Sequence, residues 1–207
     1  MTNKEHWENI FATKRENEVS WFQKTPVNSI EIIEKLNLSK DAKIIDVGGG
    51  DSYLIDALLD KGFTNLFLLD ISLNAIEKVK SRLGDKATMV TYIVSNVLDY
   101  KPEITFDLWH DRASFHFLTD STQIHKYADL VSNLIVSGGN LVIGTFSETG
   151  PLKCSGLNIS QYNESKLNSV FESKFIKKTC FITDHKTPFN TLQNFIFCTF
   201  KKQDHVS

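Results

Sequence analysis

Residues 43 to 52 read Lys-Ile-Ile-Asp-Val-Gly-Gly-Gly-Asp-Ser, a short β-rich apolar run that stops at three adjacent glycines. This pattern is a buried strand running into a turn and then a helix. Without Cβ atoms the three glycines let the backbone bend sharply and approach a ligand closely, beside the positive end of the helix that follows. A glycine loop can also be no more than a tight turn, so its neighbours have to decide what it holds.

The surrounding chain repeats the strand-to-helix pattern. Candidate strands are Lys43 to Val47, Leu66 to Leu69, Met89 to Val94, Phe106 to Trp109 and Asn140 to Phe146. Segments of helical period lie between them. Tyr53 to Leu59 is opened by Asp51 and Ser52 and closed by Gly62, and Leu73 to Leu83 has Ser72 as N-cap. Asp120 to Ile135 is amphipathic and ends before Ser137-Gly138-Gly139. Such alternation predicts an α/β fold with a parallel sheet covered by helices on both faces. After Phe146, a loop from Ser147 to Ser160 carries Gly150, Pro151 and Gly156. A short helix over Glu164 to Phe171 and two strands, Phe175 to Thr183 and Leu192 to Phe200, then close the chain as a hairpin. The first 40 residues read as helical from the spacing of Trp7, Ile10 and Phe11 and of Ile30, Ile33 and Leu36.

Composition narrows the function. The 207 residues suit one domain: a helical cap over 1–40, a ligand-binding core over 43–146 and a loop with a hairpin over 147–207. Lys plus Arg total 23 against 25 Asp plus Glu, for a formal charge of -2, so there is no basic excess for nucleic acid. No apolar run is long enough to cross a bilayer, and charges fill the first eight residues where a signal peptide needs an apolar stretch, so a cytoplasmic protein is expected. Cys154, Cys180 and Cys198 have no metal-ligand spacing and are read as free thiols, with no metal site.

The glycine loop excludes two common ligands. A dinucleotide fingerprint needs Gly or Ala where Tyr53 stands, and a nucleotide-triphosphate loop needs a lysine that is absent between Lys43 and Lys61. Asp46 and Asp51 bracket the glycines instead. Two carboxylates repel a pyrophosphate and favour a ligand bearing an ammonium and a sulfonium. Asp70 ends the second candidate strand, 24 residues after Asp46, where a carboxylate can accept both hydroxyls of a ribose. Asn96 and Val97 end the third, where an amide and a backbone group can meet an adenine edge, although Asn96 alone also suits a turn.

These residues resemble the class I S-adenosylmethionine-dependent methyltransferases over nearly the whole chain. Asp46 to Gly50 is similar to the first motif of that family, with Ser52 where a third small residue is common. Asp70 matches the ribose-binding acid, and Ser137-Gly138-Gly139 resembles a Pro-Gly-Gly turn. Asn96 stands where many relatives have Asp. The resemblance implies S-adenosylmethionine as cofactor and a mostly parallel seven-stranded sheet with an antiparallel C-terminal strand. It also implies cofactor contacts from Asp46, Gly48, Gly49, Gly50, Asp70, Ile71, Asn96 and Val97. Trp7, Phe11 and Trp21 resemble a compact branch, related to thiopurine, tellurite and small protein-lysine enzymes, whose aromatic N-terminal segment covers the cofactor. All three equally suit a helix core. Residues 106 to 116 occupy the fourth motif, and Asp111-Arg112-Ala113 resembles the Asp-Lys-Gly of lysine-methylating members.

Methyl transfer from a sulfonium is an in-line substitution, so the protein mainly positions the acceptor and excludes water. His110 is the candidate general base, Arg112 the candidate clamp for a carboxylate, and His116 a third candidate that its apolar surroundings equally mark as a packed histidine. Lys153, Cys154 and Ser155 in the long loop could meet an acceptor. The expected activity is methyl transfer to a small-molecule oxygen, sulfur or nitrogen, by a monomer or weak homodimer. The alternatives are a protein-lysine methyltransferase and a cofactor-binding protein without turnover. A nicotinamide oxidoreductase is disfavoured by Tyr53, and a cysteine relay for arsenic by the spacing of the cysteines.

Overall fold

The computed structural model describes residues 2–203. Seven strands form one sheet: β1 (Lys43–Val47), β2 (Asn65–Asp70), β3 (Val90–Val94), β4 (Phe106–Arg112), β5 (Ile135–Phe146), β8 (Phe175–Lys186) and β9 (Leu192–Lys202). A two-strand clip, β6 (Lys153–Cys154) with β7 (Leu157–Asn158), lies in the long loop. The sheet order is β3-β2-β1-β4-β5-β9-β8, and β9 alone runs antiparallel to both its neighbours. This is the mostly parallel sheet with one antiparallel C-terminal strand that the sequence predicts. The helices are α1 (Asn3–Thr13), α2 (Val27–Lys35), α3 (Leu54–Asp60), α4 (Leu73–Leu83), α5 (Ser121–Leu134) and α6 (Glu164–Phe171).

Strand periodicity divides the core in two. Ile44, Leu68 and Leu108 face one side, where α2, α3 and α4 pack through Ile33, Leu58 and Val79. Ile45, Val47, Trp109 and Ile143 face the other, under Tyr127 and Val131 of α5 and Phe171 of α6. The indole N–H of sealed Trp109 donates to Tyr127 at 3.0 Å, and the Tyr127 hydroxyl donates to Asp111 Oδ2 at 2.7 Å, so these buried polar groups are paired.

Four expectations are corrected. β5 begins at Ile135, not Asn140, and runs through Ser137-Gly138-Gly139. Its pairing with β4 slips between Phe106 and Leu108, and Gly138 at φ 66° absorbs the irregularity. Asp51 does not cap α3, whose N-cap is Tyr53 without a side-chain bond, while Ser52 Oγ accepts from Leu54 N–H at 3.4 Å at the helix start. The first 40 residues are not uniformly helical, since turns and bends over 19–26 separate a short 3-10 turn at Glu16–Glu18 from α2. Finally, Cys180 and Cys198 are not free thiols: opposite each other across β8 and β9, with Cα atoms 4.2 Å apart, they form a disulfide, leaving Cys154 free and buried.

Candidate active site

The carboxyl ends of β1, β2 and β4 converge on a cavity of about 160 Å³. Its floor is the glycine loop. Gly48 and Gly50 hold φ of 61° and 56°, a region that side-chain-bearing residues enter at a cost. Gly49 is required for a different reason: a Cβ there would strike Asp46 Oδ2 and come within 2.6 Å of Leu68. Arg82 of α4 braces the loop, donating to the carbonyls of Asp51 at 2.8 Å and Ser52 at 2.7 Å while also pairing with Asp56 at 2.8 Å. It stacks on Tyr53 with 4.0 Å to the ring centre.

Two carboxylates face the cavity, but the pair differs from the one the sequence suggests. Asp51 does not line it; its carboxylate lies 3.8 Å from Lys78. The lining acids are Asp46 and Asp70. Asp70 accepts from the Gly50 amide at 2.9 Å and the Ser72 amide at 2.8 Å, which fixes its orientation. Burial raises its pKa to about 7, against the lowering effect of those bonds, and Asp46 and Asp51 raise it further. Asp46 accepts from His110 Nδ1 through Oδ1 at 2.7 Å, while its Oδ2 is buried without a hydrogen-bond partner. An orphaned carboxylate oxygen, a second buried acid and a Cβ-free floor fit a cationic sulfur nucleoside, and they oppose a phosphate-bearing one.

The roof is aromatic. Trp7 and Phe11 of α1 and Trp21 form a mutually packed cluster, with Trp7 and Trp21 ring centres 5.7 Å apart and Phe117 5.1 Å from Trp7. All four line the cavity. A Cβ at Gly50 would come within 2.9 Å of the Phe11 ring, so the roof rests directly on the loop. His6 of α1 meets Ser155 of the long loop at 3.3 Å, and Cys154 of that loop also lines the cavity. Lys153 and Ser155 do not line it.

Ile71, Asn96 and Val97 line the far wall with Ser95 and Leu98. The Asn96 side-chain oxygen accepts from Leu98 N–H at 2.9 Å, so it serves the turn and leaves its amide N–H groups for a ligand. His110 and Arg112 line the cavity too, but neither nitrogen of His110 is free: Nδ1 bonds Asp46 and Nε2 lies 2.9 Å from Ser29 Oγ of α2. His116 does not line the cavity. It is sealed against Phe146, ring centres 4.6 Å apart, with neither ring nitrogen hydrogen-bonded; burial first, and then the Arg112 charge, lower its pKa to about 3. Among the described residues no group of three or more His, Cys, Asp and Glu could hold a metal, and no helix is long and apolar enough to cross a membrane.

Ser29 and Arg82 carry no motif and were not singled out from sequence. Ser29 could have been found as the one polar residue on the buried side of α2, between Pro26 and Ile33.

A family model described as a methyltransferase domain matches residues 45–141, from β1 into β5. Malonyl-[acyl-carrier protein] O-methyltransferase 1 of Ilyobacter polytropus is 32% identical over 109 residues, spanning 52% of this chain and 39% of that protein. The mouse eEF1A lysine and N-terminal methyltransferase is 25% identical over 122 residues, 58% of this chain and 17% of its own length. The chain thus matches well under half the length of these curated relatives. Among solved structures, one described as "Conversion of a Disulfide Bond into a Thioacetal Group during Echinomycin Biosynthesis" superposes with TM-score 0.80 at 15% identity, covering 100% of this chain and 94% of that one. The Burkholderia thailandensis 1,6-didemethyltoxoflavin-N1-methyltransferase, bound to its acceptor and S-adenosylhomocysteine, gives TM-score 0.68 at 18% identity, with 89% and 81% coverage. At these identities the structural likenesses bear on the fold.

Proposed function

From the match of residues 45–141 to a methyltransferase-domain family model and from the cavity's lining, we propose that the cavity binds S-adenosylmethionine and that the protein transfers its methyl group to a small-molecule acceptor. The observation that carries this reading is the pairing of Asp46, with one unpartnered oxygen, and Asp70 around a Cβ-free loop. Asp70 would accept the ribose hydroxyls, Asp46 the ammonium end, and Asn96 and Val97 would border the adenine. Bound there, the cofactor supplies an electrophilic methyl group on a positively charged sulfur. Trp7, Phe11, Trp21 and Phe117 would exclude water from the transfer, and the protein's share of the catalysis is orientation and desolvation.

The roof favours a small acceptor over a protein. Trp7, Phe11, Trp21 and Phe117 line the cavity with aromatic rings, and His6 of α1 meets Ser155 of the long loop at 3.3 Å. The malonyl-[acyl-carrier protein] O-methyltransferase and the 1,6-didemethyltoxoflavin-N1-methyltransferase are named for methylation of a carrier-bound and a small-molecule group. The protein-lysine reading keeps the similarity of Asp111-Arg112-Ala113 and the mouse relative.

Calorimetry with S-adenosylmethionine, S-adenosylhomocysteine and NAD tests the cofactor. Binding of both sulfur nucleosides without NAD is expected, and the reverse overturns the reading. Tritiated methyl transfer in a lysate separated into protein and small-molecule fractions then tests the acceptor. Label confined to protein would establish the lysine alternative, and binding with no transfer in either fraction would establish a protein without turnover.

A further inference from the structure

Arg112 ends β4 beside His110, and its half-buried side chain lines the acceptor side of the cavity. Its hydrogen bond among the described residues is from Nη2 to the Trp21 carbonyl at 3.0 Å, and no carboxylate there forms an ion pair with it. The Phe195 ring lies 5.6 Å from the guanidinium carbon. Cys154, which also lines the cavity, stays a neutral thiol because burial pushes its pKa up to about 12. The site therefore presents a guanidinium edge with no carboxylate in direct ion-pair contact, where burial works against the charge and Asp46 supports it only from beyond contact distance, walled by Trp7, Trp21 and Phe117. Burial penalises such a charge, and an anionic ligand in contact with it would relieve that penalty.

A second observation concerns bases. Both nitrogens of His110 are occupied, His116 is outside the cavity, and Asp111 is held by Tyr127, Ser114 and Phe115. Asp46 and Asp70 stand at the cofactor end. Apart from Asp46, whose open oxygen is assigned above to the ammonium of the cofactor, no carboxylate or imidazole lining the cavity is free to take a proton from an acceptor, so an acceptor that is already an anion suits the site.

From these two observations we infer that Arg112 is an anion subsite and that the methyl acceptor is a carboxylate. The inference rests on the cofactor reading above. One carboxylate oxygen is held by the guanidinium while the other attacks the methyl carbon. The O–C bond forms, the S–C bond breaks, and its electron pair stays on sulfur. The products are a methyl ester and the neutral thioether S-adenosylhomocysteine, with no proton transferred. The guanidinium and the sulfonium together repel an amine acceptor in its protonated form.

The test uses the intact protein saturated with S-adenosylhomocysteine, whose binding is measured first. A failure at that step removes the cofactor reading itself. Ligand-observed NMR then compares matched pairs at millimolar concentration: phenylacetate with phenylacetamide, and hexanoate with hexanamide. Carboxylates are expected to bind about tenfold tighter than their amides. Arg112→Met should abolish the preference and Arg112→Lys should retain part of it, each carboxylate-to-amide ratio being taken on the variant saturated according to its own measured affinity for S-adenosylhomocysteine. Equal binding of both members, binding of neither, or a preference that survives in Arg112→Met overturns the assignment. Since nucleoside affinity and melting temperature are read on every variant, a misfolded protein is recognised as such and the lysine variant then decides.

Discussion

Asp46 and His110 stand opposite each other on neighbouring parallel strands, and their side chains bond at 2.7 Å in a site that leaves each almost no exposure. The bond places a proton between Nδ1 and the carboxylate, and Nε2 is held 2.9 Å from the Ser29 hydroxyl, which can serve as its hydrogen-bond partner in either direction. Asp46 thereby ties β1 to β4 and, through His110, to α2, while its second oxygen stays open to a ligand. Asp46→Asn keeps the shape and removes the charge, so affinity for S-adenosylmethionine should fall roughly ten- to hundredfold, the worth of a charged hydrogen bond. Ser29→Ala should leave that affinity in place and cost about 1–3 kcal/mol of stability, because a buried imidazole nitrogen loses its partner. Calorimetry and urea unfolding separate the two effects, and an unaltered affinity in Asp46→Asn would contradict the assignment.

Asp70 makes cofactor binding depend on pH. Burial raises its folded-state pKa to about 7, above its value in an unfolded chain. A raised carboxyl contributes stability that is fully present below the unfolded pKa of about 4 and is lost as pH climbs through about 7. The stability of Asp70→Asn relative to wild type should therefore improve from pH 5 to pH 8, as followed by melting temperature. A ribose donating two hydroxyls favours the carboxylate, so binding near neutral pH should release a proton. Calorimetry in two buffers of different ionisation enthalpy would detect it, and a buffer-independent heat would refute it.

The opposite sign holds for His116. Its pKa falls to about 3, so its share of stability is present above the unfolded value of about 6.5 and is lost as pH drops through that window. His116→Phe preserves the stack on Phe146 and removes both unbonded nitrogens. Its stability relative to wild type should rise by about 2 kcal/mol between pH 8 and pH 5. Urea titrations at the two pH values measure that difference directly.

Ala113 holds φ 63° while its N–H donates to the Gly144 carbonyl at 2.8 Å. The left-handed region costs an alanine about 1 kcal/mol relative to glycine, partly offset by the freedom glycine gains when unfolded. Ala113→Gly should consequently stabilise the protein by up to about 1 kcal/mol, read as a rise in urea midpoint with unchanged slope. A loss of stability would mean that the methyl group packs too well to give up.

Much of this was legible in the chain because local chemistry and tertiary demand agree. β1, α4 and α6 have the bounds expected from sequence, and Ser72 caps α4 by accepting from Ala75 N–H at 3.2 Å. Asp70 ends β2, as expected, and accepts from the Gly50 amide of the glycine loop, a bond that the spacing alone did not announce. Elsewhere tertiary pairing overrode punctuation: β5 passes through two glycines because β4 offers it a ladder to join. The acids were only half legible, since Asp46 and Asp51 differ in orientation, which Lys78 and Arg82 set from a distant helix. The disulfide depends on register, and the hairpin's turn could have been centred a residue either way. Ser29 and Glu8 act on partners 81 and 64 residues away, a separation at which sequence pattern says nothing.

Glu8 also binds the roof to the turn beneath it. Its carboxylate accepts from Ser72 Oγ at 2.7 Å, Leu73 N–H at 2.9 Å and Asn74 N–H at 3.0 Å, so a residue of α1 serves as a second cap for α4. Peeling α1 away strips acceptors from the start of α4, directly after the Asp70 turn proposed to hold the ribose. Access to the chamber and rigidity of the nucleoside berth are thus one mechanical variable, governed by a single glutamate outside the chamber.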